Sequence, residues 1–182
     1  MNFIPDQPKN NQEVPYFEDA TSDAGWQGQA TTKSIETLKS EIVQAVSRLG
    51  GLVVGFQRGK FETGKYTREG FRVHYSIEAA NGRMVAGMID IAALPIKKSV
   101  SYRSSIEKRQ EQSLKMALYM FRDAMNGLWF LQQLSPGYSA LMPWMLTEGG
   151  KTISQLWSES PVMQNLLPPG ESEFVDGKFT VS

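Results

Sequence analysis

From Ser104 to Leu134 apolar residues recur three and four positions apart, as Leu114, Ala117, Leu118, Phe121, Ala124, Met125, Leu128 and Leu131. That spacing draws one stripe along a helix and predicts an amphipathic element of about 28 residues, about 42 Å long. The opposite side carries Glu107, Lys108, Glu111, Gln112, Lys115, Arg122, Asp123 and Asn126. Glu107, Glu111 and Lys115 follow one another at four-residue steps, which sets an acid above a base on the helix surface. Ser104 and Glu107 have the spacing of a capping box at its start. Leu134-Ser135-Pro136-Gly137 ends it, because the residue before a proline is pushed out of the α region and glycine takes a left-handed turn.

A second helical stripe, Ile35, Leu38, Ile42, Val43, Val46 and Leu49, predicts a helix from Thr32 to about Leu49, stopped by Gly50-Gly51. The apolar, β-branched run Leu52–Gln57 then reads as a strand. Arg58–Arg68 is glycine-punctuated and basic with two aromatics, and reads as an extended hairpin tip or loop. From Phe71 to Glu78 the pattern changes to strict alternation: Phe71, Val73, Tyr75 and Ile77 on one side, Arg72, His74, Ser76 and Glu78 on the other, a strand with one buried face. Asn81-Gly82 suits a two-residue type I′ turn. A returning strand follows from Arg83 to Ile91, and Pro95 stops it. Lys97–Arg103 is a basic connection into the long helix. The order helix, strand, strand, strand, helix predicts an α+β fold, with a three-stranded antiparallel sheet carrying helices on one face.

The remaining stretches fit around that unit. Residues 1–30, broken by Pro5, Pro8 and Pro15, are expected to form a flexible leader, with Trp26 suited to anchoring it. The aromatic and methionine-rich Tyr138–Leu146 and a short helical turn from Thr152 to Trp157 read as irregular cover over the core or as a subunit contact. The domain is then 31–160, followed by an acidic flexible tail over 161–182.

Composition narrows the chemistry. At 182 residues, 41% hydrophobic and 21% charged, the chain has material for one core. With no cysteine and one histidine it excludes disulfides, thiolate catalysis, cysteine-ligated clusters and multi-histidine metal sites. No apolar run approaches the ~18 residues of a membrane span, and Met1–Gln12 lacks the regions of a signal peptide, so no membrane contact and a cytoplasmic location are expected. The net charge of zero is a sum of unlike parts: residues 51–133 hold 13 basic against 7 acidic side chains, and the rest of the chain 6 against 12. A basic core between acidic ends points to a polyanion partner, or else to a solvated surface with no special partner.

No catalytic constellation stands out, so no enzyme, cofactor or metal is expected. Gly59–Lys65 fits the glycine and lysine spacing of a phosphate loop, yet Tyr66 stands where a magnesium-binding hydroxyl belongs and a strand follows where a helix N-terminus is needed. Gly150-Lys151-Thr152 precedes a helix, but the first glycine of that pattern would fall on Met145. His74 has no serine, cysteine or carboxylate pair beside it in sequence. What stands out is a basic set with interleaved aromatics: Arg58, Lys60, Phe61, Lys65, Tyr66, Arg68, Arg72, His74 and Arg83, continued by Lys97, Lys98 and Arg103 in the link and Lys108 on the long helix. Cations neutralise phosphates and release counterions, and aromatic faces stack on unpaired bases.

Residues 71–128, a hairpin with a small polar turn, a basic link and the helix SLKMALYMFRDAMNGL over 113–128, resemble the core of single-strand annealing proteins of the eukaryotic recombination-mediator type and their phage relatives. Glu107-Lys108, Leu114-Lys115, Ala117-Leu118, Phe121, Ala124 and Leu128 carry the resemblance. It implies a ring-forming homo-oligomer that holds single-stranded DNA (or RNA) in a basic groove and pairs complementary strands without ATP, and it places Lys115 at a DNA-contacting position. Met116 and Tyr119 stand where that family has basic residues, and Arg122 where it has glycine. The alternative is an assembly protein that docks a protein partner through the Met/Trp-rich segment 138–157.

Overall fold

The computed structural model describes residues 14–159, together with the backbone of 172–175 and 178–181. It is an α+β arrangement. Helix α1 (Ile35–Arg48) leads into three strands, β1 (Gly51–Thr63), β2 (Tyr66–Glu78) and β3 (Met84–Ala92), which form an antiparallel sheet in the order β1-β2-β3. The long helix α2 (Ile106–Leu134) and the short α3 (Ile153–Glu159) follow. One core gathers Leu38, Ile42 and Val46 of α1, Val73, Tyr75 and Ile77 of β2, Ile89 and Ile91 of β3, and Leu114, Leu118 and Met125 of α2. The alternation in β2 is therefore the pleat itself: Val73, opposite both Phe56 and Ile89, faces the helices.

Several boundaries differ from expectation. Arg58–Arg68 is no loop, since β1 and β2 pair continuously out to Thr63 and Tyr66. A two-residue turn joins them, with Gly64 at a φ of +60° that a side chain would resist. The β2–β3 connection is longer than two residues. Pairing of Ile77 with Val85 and of Glu78 with Met84 fixes the register, which leaves Ala79–Arg83 as the turn and places Arg83 in it. The helices start later than the sequence suggests. Ser34, not Thr32, caps α1 by accepting from the Thr37 amide at 3.1 Å. Ser105, not Ser104, caps α2 by accepting from the Lys108 amide at 3.2 Å, so no glutamate stands at the reciprocal position and the box is absent.

The largest departure lies in the leader. Residues 14–31 lie along α2 as an ordered arm; residues 1–13 are outside the described part. The Phe17 amide donates to the Pro95 carbonyl at 2.8 Å, and Gln112 of α2 donates to the carbonyls of Gln29 and Thr31. Gly28, at φ +83°, sits so close to Tyr119 that a Cβ would come within 2.6 Å of its ring. Ala20, Leu94 and Met116 form a second small core, with Val14, Phe17, Trp26 and Met120 packed against it. The arm explains why α2 buries more than one stripe. Arg109, Ser113 and Met116 are buried toward the arm and link, whereas Ala124 and Leu131, placed on the apolar stripe by spacing alone, are exposed.

Arg109 and Glu18 form an ion pair with side chains only 8% and 6% exposed, and the Lys97 carbonyl accepts a further hydrogen bond from Arg109 at 3.0 Å. Between the helices, Glu41 of α1 is bridged by Lys33 and by Arg122 of α2, which together hold its carboxyl below the usual range.

Tyr138–Leu146 does cover the core. Leu141 is fully buried, and its carbonyl accepts from the Tyr75 hydroxyl at 2.8 Å. The expected tail, 161–182, contains a hairpin of β4 (Ser172–Val175) and β5 (Lys178–Val181); the rest of it lies outside the described residues. Among the described residues no helix is long and apolar enough to cross a membrane.

Candidate functional site

The β1–β2 tip and the link from β3 to α2 meet at one end of the sheet. The Ala93 amide donates to the Glu69 carbonyl at 2.8 Å, and beyond it Pro95 takes the chain off the sheet. Between tip, link and arm lies a cleft of about 560 Å³, into which Lys65, Tyr66, Arg68, Lys97 and Lys98 all contribute, with Tyr16 from the arm. The structure thus brings five of the sequence-selected residues together.

Arg68 stands apart from the other cations. Its Nε donates to the Ala93 carbonyl at 2.6 Å and its Nη2 to the Ala92 carbonyl at 2.8 Å, so the guanidinium is fixed on the open carbonyls at the end of β3. It is half-buried, and among the described residues no carboxylate pairs with it. Burial lowers its pKa, the direction expected of a cation removed from water without a counter-charge. A guanidinium has five N–H donors, so three remain for something else.

Two tyrosines flank it. The rings of Tyr16 and Tyr66 meet edge to face at 5.4 Å, and a hydrogen bond to Tyr66, more than burial, raises the Tyr16 pKa. Lys65 Nζ lies 5.2 Å from the Tyr66 ring and Lys97 Nζ 5.7 Å from that of Tyr16. Lys97 also pairs with Asp19 at 2.5 Å, which raises its pKa. Lys98 is exposed and has no ion pair among the described residues.

The other selected residues are dispersed. Arg58 pairs with Glu69 at 2.8 Å, and Lys60 is its exposed neighbour on β1. Phe61 lies over Gly70, where a Cβ would come within 2.7 Å of the ring. Arg72 is held by both oxygens of Asp90, at 2.7 and 2.9 Å, and His74 sits half-buried in mid-strand opposite Gly55 and Met88. Arg83 is at the far end of the sheet. Arg103 and Lys108 are exposed near the start of α2, and Lys115 pairs with Glu111 at 3.2 Å. Neither phosphate-loop pattern forms one. Gly59–Lys65 is strand and turn, and Lys151 pairs with Glu159 at 2.5 Å. No group of three or more His, Asp or Glu residues among those described could hold a metal ion.

Tyr16 is the site residue that the sequence reading missed. Its signal lay in Pro15-Tyr16-Phe17-Glu18-Asp19, where two aromatics are followed by two acids upstream of a basic link, a composition suited to docking on it. No protein-family model, curated protein or solved structure matches this chain.

Proposed function

We propose that the protein binds single-stranded nucleic acid in the cleft between the hairpin tip, the link and the arm. Arg68 carries this reading: a half-buried guanidinium with three spare donors and no carboxylate among the described residues calls for an anion. Lys65, Lys97 and Lys98 surround the same space, which favours a ligand with repeated negative charge. Tyr16 and Tyr66 add aromatic faces. A duplex keeps its bases stacked inside, whereas a single strand offers them to such rings.

Filter binding with single- and double-stranded oligonucleotides tests the reading. Arg68→Gln, which retains amide donors for the two carbonyls but removes the charge, should weaken single-strand binding and flatten its log–log salt slope by about 0.7. Tyr66→Leu should weaken it by about 1–3 kcal/mol and leave the slope in place. A folded sample that shows no binding at low salt overturns the proposal. Strand annealing by a homo-oligomer, as the resemblance implies, in the cytoplasm, as the sequence suggests, extends it and is tested by pairing of complementary labelled strands.

A second reading has its own support. Tyr138, Met142, Leu156 and Trp157 are 37–48% exposed, more large apolar surface than a cover segment requires. A protein partner docked there, or a second copy of the chain, would bury it. Light scattering that shows a strict monomer at micromolar concentration counts against self-association.

A further inference from the structure

Beside the basic cleft lies a second, smaller cavity of about 180 Å³, walled by Val14 and Trp26 of the arm, Leu94 of the link, and Met116 and Met120 of α2. Arg68 and Leu94 border both spaces, so the half-buried guanidinium stands where the charged cleft gives way to an apolar pocket. Trp26 and Met120 are only partly buried, which leaves the pocket's outer side open, while Met116 and Leu94 close its floor. The arm is pinned over it by the Gln27 amide, which lies 3.2 Å from the Met120 sulfur.

Size and chemistry both restrict the occupant. An apolar cavity of about 150 Å³ takes a benzene ring, so this one fits a single six-membered ring and is too small for a fused pair with room to spare. Methionine sulfur and the tryptophan face both favour aromatic rings. Arg68 is the one charged residue among the described residues of the lining, and its spare N–H groups require an acceptor. A ring that carries a carbonyl oxygen, attached to a phosphate, meets all of these requirements. We propose that the pocket is a pyrimidine subsite: it seats one base of a strand whose phosphates lie in the adjoining cleft, with Arg68 reaching the base carbonyl or its phosphate. The inference rests on the single-strand reading above and adds a base preference that the cleft alone does not supply.

The test compares three labelled strands of equal length, oligothymidylate, oligodeoxyadenylate and an abasic strand, on the wild-type chain and on two variants that fill the pocket. Ala117→Leu fills it from α2, where Ala117 forms part of the wall, and Met120→Phe fills it from the open side. Wild type should bind oligothymidylate at least about tenfold more tightly than the abasic strand, which lacks the bases for both the pocket and the cleft tyrosines, and more tightly than oligodeoxyadenylate, the comparison that reports the pocket. Each filled variant should lose that preference over oligodeoxyadenylate while its affinity for the abasic strand, which reports the phosphate contacts of the cleft, is retained. Equal binding of oligothymidylate and oligodeoxyadenylate by wild type overturns the subsite and leaves the cleft standing. A thymidylate preference that survives in either folded variant also overturns it, by placing the base elsewhere. Failure of all three strands to bind removes the single-strand reading itself, and the subsite with it.

Discussion

The two ends of the β-sheet are closed in different ways. At the end where β3 begins, Leu141 drops into the core, the Tyr75 hydroxyl satisfies its carbonyl, and Gly87 and Gly51 make room: a Cβ at Gly87 would come within 2.0 Å of the Tyr75 ring, and one at Gly51 within 2.8 Å of Leu141. Closure there is apolar packing plus a neutral hydrogen bond. At the other end, the small apolar cluster of Ala20, Leu94 and Met116 is supplemented by charge, which ties arm and link through Glu18 with Arg109 and Asp19 with Lys97, and two cavities and the half-buried Arg68 are left over. Packing fills space and ionic closure does not, because charged side chains must be held at fixed geometry while apolar ones interdigitate. The end with space and spare donors is the one that can take a ligand.

If charge holds the cleft end, the largest effect should come from Glu18. Glu18→Ala leaves Arg109 buried without a counter-charge and should cost about 3–5 kcal/mol, measured by denaturant unfolding. The paired change Glu18→Leu with Arg109→Met should recover much of that loss, since an apolar pair replaces a buried ionic one at little or no cost. A loss under about 1 kcal/mol for Glu18→Ala would mean that the arm is not held by this pair.

Packing at the other end predicts the next effects. Gly87→Ala forces the Tyr75 ring to move and should cost about 1–3 kcal/mol, as overpacking does. Tyr75→Phe keeps the ring but removes one of the two donors to the Leu141 carbonyl, which still accepts from the Trp144 amide at 3.2 Å, and should cost about 0.5–1.5 kcal/mol for the hydrogen bond lost. Neither change should alter oligonucleotide affinity in a folded sample, because both lie at the far end of the sheet from the cleft.

This contrast also explains what could be read from the chain. The β2 alternation and the 3.6-residue stripes of α1 and α2 report a single buried face each, and they gave the element order and Phe71, Val73, Tyr75, Leu114 and Leu118 as core. Arg109, Ser113 and Met116 escaped because their partners are the arm and the link, 91 residues away for Glu18 and Arg109, and one-face periodicity does not register a second packed surface. The arm itself looked flexible because its cohesion is largely ionic and backbone-mediated and its few apolar residues, Val14, Phe17, Ala20 and Trp26, are scattered without a helix or strand period. Five of the cleft residues were selected for their charge and aromaticity, but Arg72 was indistinguishable from them until Asp90 was placed beside it, whereas the four-residue step from Glu111 had already marked Lys115 as paired.

The smallest predicted effect compares the two ends directly. Lys98 and Arg83 are both exposed, and neither has a side-chain ion pair among the described residues, but Lys98 lines the cleft and Arg83 sits in the β2–β3 turn at the opposite end. If phosphates run through the cleft, Lys98→Ala should flatten the salt slope of single-strand binding by about 0.7 and Arg83→Ala should leave it unchanged. Neither substitution should shift the unfolding midpoint appreciably, since exposed side chains without partners contribute little to stability. Equal flattening by both would mean that the strand spreads over the whole basic surface. The division of labour between a packed end and a binding end would then fail, even if binding itself were confirmed.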